Sequence, residues 1–310
     1  MKIKHAKLKF VSFVIATSFV FSAHAGITVV TTLPDLAWAV REIAGPESES
    51  GVKVESLLRG VEDPHFVDAS PDFVLKASNA DVLCAVGLEL EVGWLPKVLE
   101  RAGNAKITSG NAGFCEFGTS VNVLDKPTGP IDRSMGDVHP FGNPHFWISP
   151  KALGDGAKSA LVAMKRSDPK HAAVFDAHYA ELVKKLSALE NRNKAKLAPF
   201  AADTFLEYHK EFSYFFAAYG LRSNGSLEEK PGVPPSAGRI GSVALDAKNA
   251  HVKALLASTN NPEKTVRRFE EISGVKAIIL PTMSRPKGEP KDYEALQNEI
   301  VDKIVQALKK

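Results

Sequence analysis

The 310-residue chain has only two cysteines and four methionines. Past residue 25 it has no apolar run long enough to cross a bilayer. Charge of one sign is missing as well. Residues 1–25 hold four lysines and no acid, which leaves 35 basic against 36 acidic residues in the remainder. Near neutrality gives no reason to expect nucleic acid as a partner, or an anionic membrane surface. Two catalytic signatures are absent: there is no H-E-x-x-H and no G-x-S-x-G. Lys230-Pro231-Gly232-Val233-Pro234-Pro235 has one glycine among three prolines, which lack the N–H groups a phosphate loop needs.

What stands at the N-terminus is an export signal. Lys2, Lys4, Lys7 and Lys9 precede an apolar run from Phe10 to Ser22, and Ala23-His24-Ala25 fits the small-x-small cleavage pattern. Cleavage before Gly26 is expected. No cysteine stands at that point, so a lipid anchor is disfavoured and a periplasmic protein without stable membrane insertion is expected. In that oxidising compartment Cys84 and Cys115 are candidates for a bridge. Cys84 lies in the apolar run Asp81–Val86, where a small buried thiol is equally natural. Spacing alone leaves both readings open.

Short β-branched runs alternate with helix-length amphipathic segments, the pattern of βαβ units and parallel sheets. Strands are expected at 27–32, 52–58, 81–86, 203–208, 252–257 and 275–280. Helices are expected at 33–44, 91–102, 210–219, 262–272 and 293–308, with another opening at Pro150. Ser70-Pro71 reads as a capped helix start. Residues 103–144 read as strands and irregular loops. Residues 172–197 are free of Gly and Pro and carry Phe175, Leu182, Leu186 and Leu189 at helical spacing. One helix of nearly 40 Å follows, at roughly 1.5 Å per residue. The expected architecture is α/β: a first lobe over 26–167, a connecting long helix over 168–198 and a second lobe over 199–310. Each lobe has a mostly parallel sheet flanked by helices.

Three histidines carry the chemistry. His65 lies in Gly60-Val-Glu-Asp-Pro-His65-Phe66 after the second strand. His145 lies in Gly142-Asn-Pro-His145-Phe-Trp147 ahead of the Pro150 helix, and His209 ends Phe205-Leu-Glu-Tyr-His209. Open α/β sheets place ligands outside the carboxyl ends of their strands, so a site shared by the three would lie between the lobes. Three imidazoles suit Zn²⁺, which takes three nitrogens and one further ligand in a tetrahedron. Mn²⁺ leans towards carboxylate and water, and is the lesser candidate. His171, His178 and His251 read as ordinary hydrogen-bonded or surface residues.

Asp63-Pro-His65, Asp68-Ala-Ser-Pro71-Asp72, Ala80-Asp81-Val and Gly87-Leu-Glu89 resemble the start of the zinc and manganese solute-binding proteins of ABC importers. Asn143-Pro-His145-Phe-Trp147, Tyr208-His209, Lys230–Ser236 and the closing helix continue the likeness over residues 26–310. The resemblance implies two lobes joined by a rigid helix, a metal in the cleft, a membrane permease as partner, no enzymatic activity and His65, His145 and His209 as ligands. A monomer is expected. Two departures stand out. Relatives usually supply an acidic fourth ligand from the second lobe, yet Pro281-Thr-Met-Ser284 and Ser258-Thr-Asn-Asn261 contain none. The His-rich loop of many zinc-specific relatives is reduced to Gly136-Asp-Val-His139-Pro. His139 is read first as an exposed loop residue, with water or a distant carboxylate completing the shell. The alternative is a fourth ligand or an aid to delivery. Glu229, Glu289 and Asp292 are weaker candidates. The rival functions are a three-His zinc hydrolase, which would need a base or oxyanion stabiliser beside the metal, and a metal-binding surface adhesin.

Overall fold

The computed structural model describes residues 26–132, 135–136 and 138–309. The export signal expected over 1–25 lies outside the described residues. Strand β1 (Thr28–Thr31) is followed by α1 (Pro34–Ala44), a single turn α2 (Glu47–Ser50), β2 (Lys53–Ser56), α3 (Pro71–Ser78), β3 (Val82–Ala85), α4 (Leu95–Ala102) and β4 (Phe114–Glu116). Then come α5 (Pro150–Ser167), α6 (Ala172–Leu197), β5 (Thr204–Glu207), α7 (Ser213–Tyr219), β6 (Arg222–Ser226) and α8 (Ala237–Asn249). The chain closes with β7 (Ala254–Ser258), α9 (Glu263–Ser273), β8 (Ala277–Leu280) and α10 (Tyr293–Leu308). The strands form two four-stranded sheets, ordered β2-β1-β3-β4 and β6-β5-β7-β8. Every pairing is parallel. Two parallel-sheet lobes flanked by helices, with a long helix between them, are thus the fold. Among the described residues no helix is long and apolar enough to cross a membrane.

Local chemistry sets the element ends. The Ser70 hydroxyl accepts from the Phe73 N–H at 3.4 Å ahead of Pro71. Ser149 does the same for Ala152 at 3.3 Å ahead of Pro150. Gly220 follows α7 at φ 70°, a left-handed position that suits glycine. Two helices begin later than expected, for one reason. The buried Glu91 carboxylate accepts from the N–H groups of Val86 and Gly87 at 2.7 and 3.1 Å, holding 91–94 in turns. Glu207 accepts from the Phe212 N–H at 2.7 Å, so α7 starts at Ser213.

In register, Cys84 faces Cys115 across β3 and β4. Their Cα atoms are 4.6 Å apart, and the two are joined in a disulfide. Cys84 is also fully buried, so bridge and apolar burial coexist.

Helix α6 is more than a strut. Its apolar stripe, Phe175, Leu182, Leu186, Leu189 and Leu197, is buried, and the helix packs on α1 and α5 from one lobe and on α7 and α10 from the other. One continuous apolar cluster runs from the first sheet through α5 and α6 into Phe212, Phe215, Tyr293 and Ile300. A smaller cluster lies between the second sheet and α8 and α9. Hydrogen bonds add to this seam. The Trp147 indole donates to the Thr282 carbonyl at 2.7 Å, and the Tyr293 hydroxyl donates to the Trp147 carbonyl at 2.7 Å. A shared core resists wide opening, because packed interiors deform poorly.

Candidate metal site

His65 follows β2, His209 follows β5 by two residues, and His145 sits one short turn before α5. The carboxyl ends of the two sheets face one another there, and the three imidazoles meet. Their ring centroids are 5.1 Å apart for His65–His145 and His145–His209 and 5.5 Å for His65–His209. One ligand nitrogen from each lies within 4.8 Å of the others. They line a cavity of about 60 Å³ together with Asp63, Glu211, Glu228, Ser258, Asn261 and Thr282. At ~10–15 Å³ per water-sized occupant, that has room for an ion with a few waters.

Each imidazole is oriented from behind. Asp63 Oδ1 takes both the backbone N–H of His65, at 3.0 Å, and its Nδ1, at 2.9 Å. Asn143 Oδ1 repeats the device for His145, with 2.9 Å to the backbone N–H and 2.9 Å to Nδ1. Both pairs are Asx-Pro-His tripeptides: the proline contributes no N–H, and the Asx oxygen reaches the amide two residues on. His209 Nδ1 meets Glu228 Oε2 at 2.8 Å. With Nδ1 donating, Nε2 keeps its lone pair for the cavity. The Nε2 atoms of His65 and His145 are buried without a hydrogen-bond partner among the described residues. Buried nitrogen acceptors turned on one small space fit a divalent cation.

His139 departs from its first reading. It is half-buried rather than exposed, its Nε2 is also buried with no hydrogen-bond partner among the described residues, and its ring lies 5.4 Å from that of His65. The weaker acids do not line the cavity. Asp292 caps α10, accepting from the Ala295 N–H at 2.8 Å, while Glu229 and Glu289 are exposed. His171 bonds Asp168, His178 faces the Ile43 carbonyl, and His251 is exposed, as expected of structural residues.

Electrostatics divide the imidazoles. Burial, with the neighbouring His209, His65 and His139, pushes His145 well below its usual range, so it stands neutral. Burial and the same neighbourhood lower His139 to about 3. Burial also pulls His209 down, yet the Glu228 hydrogen bond and the Glu211, Glu228 and Asp63 carboxylates outweigh it and leave it raised. Two further residues escaped the sequence reading. Glu228, which orients His209, comes from the far side of β6. Glu211, two residues past His209, is fully enclosed, and burial raises its carboxyl to about 8, with Asp63 and Glu207 adding to the rise.

The same architecture is found in solved structures. A zinc-bound deletion mutant of ZnuA superposes with a TM-score of 0.74 at 20% identity, covering 91% of this chain and 98% of that one. A manganese-bound mutant of the periplasmic metal binding protein from candidatus Liberibacter asiaticus gives 0.71 at 18% identity, covering 91% and 99%. At such identities the likeness concerns the fold. Among curated sequences, the zinc-binding lipoprotein AdcA of Streptococcus pneumoniae is 23% identical over 303 residues, 96% of this chain. The chain spans 58% of the length of AdcA. The iron ABC transporter substrate-binding lipoprotein MtsA of Streptococcus pyogenes is 27% identical over 299 residues, 92% of this chain and 89% of MtsA. Both relatives are named as metal- or substrate-binding lipoproteins, and MtsA as part of a transporter. The family of zinc-uptake complex component A, periplasmic, matches residues 29–307, and the chain belongs to that family.

Proposed function

We propose that the chain captures Zn²⁺ outside the inner membrane, in the cavity between its lobes, and hands it to the permease of an ABC importer. His65, His145 and His209 are the ligands in this reading. One observation carries it: three imidazoles, each held by an oxygen at Nδ1, turn their remaining nitrogens on a cavity of about 60 Å³. The relatives' names divide between zinc and iron, so the donor set has to choose. Three nitrogens favour Zn²⁺ over Mn²⁺. His139, on the loop over the site, serves as an accessory that meets the ion on its way in or out. The signal over 1–25 sends the chain to the periplasm, where the lobes, taken as 26–167 and 199–310, present the loaded cleft to the permease.

The test is calorimetric titration of chelator-stripped protein with Zn²⁺ and with Mn²⁺, beside His145→Ala. One tight zinc site, weak manganese and a crippled variant support the reading. Tighter manganese than zinc would overturn the choice of metal, and no tight site for either would overturn capture itself.

A further inference from the structure

Four buried acids stand near the cleft or its seams, and three of them are satisfied by donors. Glu91 takes two backbone N–H groups and the Thr32 hydroxyl. Glu207 takes the Phe212 N–H and the Ser223 hydroxyl. Asp35 takes the Ser284 N–H. Such carboxylates hold the fold together. Glu211 differs. It is 8% exposed, and its Oε1 is buried with no hydrogen-bond partner among the described residues. Among the described residues its side chain hydrogen-bonds Ser258. Among the described residues no lysine or arginine forms an ion pair with it. Its charged neighbours are His209, which favours the carboxylate, and then Asp63 and Glu207, which are acids too. A buried carboxylate oxygen without a donor destabilises a fold unless a cation or proton comes to it.

Glu211 lines the same cavity as the three imidazoles and sits on the turn that carries His209. We infer that Glu211 is the fourth ligand of the captured metal, supplied from the His209 turn because the loops at Ser258–Asn261 and Pro281–Ser284 carry no acid. The inference rests on the metal-capture reading above and adds a donor to it. The three imidazole nitrogens already lie within 4.8 Å of one another. The Glu211 carboxylate stands outside that group of atoms but lines the same cavity, so a side-chain rotation has to bring Oε1 to the ion. Three neutral nitrogens and one carboxylate make a tetrahedral set of net charge −1, the composition of many zinc sites. His139 is then free to act in delivery.

Two measurements on Glu211→Gln, with His139→Ala beside it, test this. Metal-free E211Q is expected to melt at or above the wild-type temperature, because a neutral amide replaces a buried carboxyl group whose Oε1 has no donor among the described residues. Its zinc affinity is expected to fall by about 10-fold or more, since even outer-shell changes cost about that much. H139A should bind zinc at near wild-type strength. X-ray absorption of the zinc-loaded wild type should count three imidazoles and one oxygen donor. Four imidazoles, or zinc binding by E211Q equal to wild type, would overturn the role of Glu211 while leaving metal capture intact. A metal-free E211Q that melts well below wild type would also overturn it, by giving the carboxylate a structural partner. Wild-type protein without a tight zinc site would sink both readings together.

Discussion

Asp35 offers a sharp test of how the lobes are fastened. It opens α1 in the first lobe, is fully buried, and takes the Ser284 N–H of the second lobe through its two oxygens at 3.1 and 3.3 Å. Burial outweighs those hydrogen bonds and raises its carboxyl from 3.8 to about 7. The sign follows from linkage. Between pH 4 and 7 the folded protein holds a proton at Asp35 that the unfolded chain has lost, so this group's contribution to stability falls as pH rises and levels off above 7. Asp35→Asn keeps an acceptor for the Ser284 N–H, and the Ser284 hydroxyl can turn to accept from the new amide. The variant therefore mimics the protonated acid at every pH. At 1.36 kcal/mol per pH unit, wild type should lose at most about 3–4 kcal/mol relative to D35N between pH 4.5 and 8. That is roughly 10 °C in melting temperature for a chain of this size. The assay is urea unfolding of chelator-stripped protein at half-unit steps of pH. A difference between the two proteins that stays flat across that range, or shrinks as pH rises, refutes the argument from burial.

Asn143→Ala removes both hydrogen bonds that orient His145 and the tie to the Lys210 carbonyl at 2.9 Å. Zinc affinity should fall by about 10- to 100-fold by calorimetry, and an unchanged affinity would mean that packing alone holds the ring. The Cys84–Cys115 bridge spans a sequence separation of 31, for which chain entropy gives about 3–4 kcal/mol. The paired Cys84→Ala, Cys115→Ala variant should unfold at correspondingly lower denaturant, and an unshifted midpoint would count against that model. Zinc binding should weaken as pH falls, because the raised His209 gains a proton that the metal must displace, whereas the depressed His145 contributes none. Titrations from pH 8 to 5.5 with no loss of affinity would speak against imidazole ligation.

The parts of the fold legible in the sequence are those whose signal is internal to the element. Helices α6 and α10 fall where their unbroken amphipathic patterns place them, and the buried strands β1, β3 and β5 fall within their expected apolar runs, while β7 runs one residue past its own to Ser258. Strand β6 is different: Arg222-Ser-Asn-Gly-Ser226 is almost wholly exposed and has no apolar face, so only its pairing with β5 makes it a strand. Helix α8 was hidden for a related reason, since Gly238 and Gly241 depress its helical propensity and its buried face is mostly alanine and valine. The overlong helices at 91–102 and 210–219 share one cause. Glu91 looks like a helix residue by propensity and Glu207 ends a strand, yet each carboxylate binds N–H groups a few residues away, and that competition decides the boundary.

The site divides along the same line. The histidines were legible because strand ends and order along the chain are sequence properties. The Asx-Pro-His repetition at Asp63 and Asn143 was there to be read as an orienting device, and it needs no tertiary knowledge. Glu228 and Glu211 could not be found that way. Glu228 reaches His209 only because β6 pairs with β5, and Glu211 looks like an ordinary acid at the start of a helix until burial removes every donor from its Oε1. Composition conceals the result further. A chain balanced at 35 basic and 36 acidic residues after residue 25 still gathers Asp63, Glu211 and Glu228 around a cavity of about 60 Å³. At separations of a few ångströms inside protein such charges act far more strongly than net charge does at a distance. The field that attracts a cation is thus set by which acids the fold buries, and a protein can be neutral in sum and strongly cation-selective at one point.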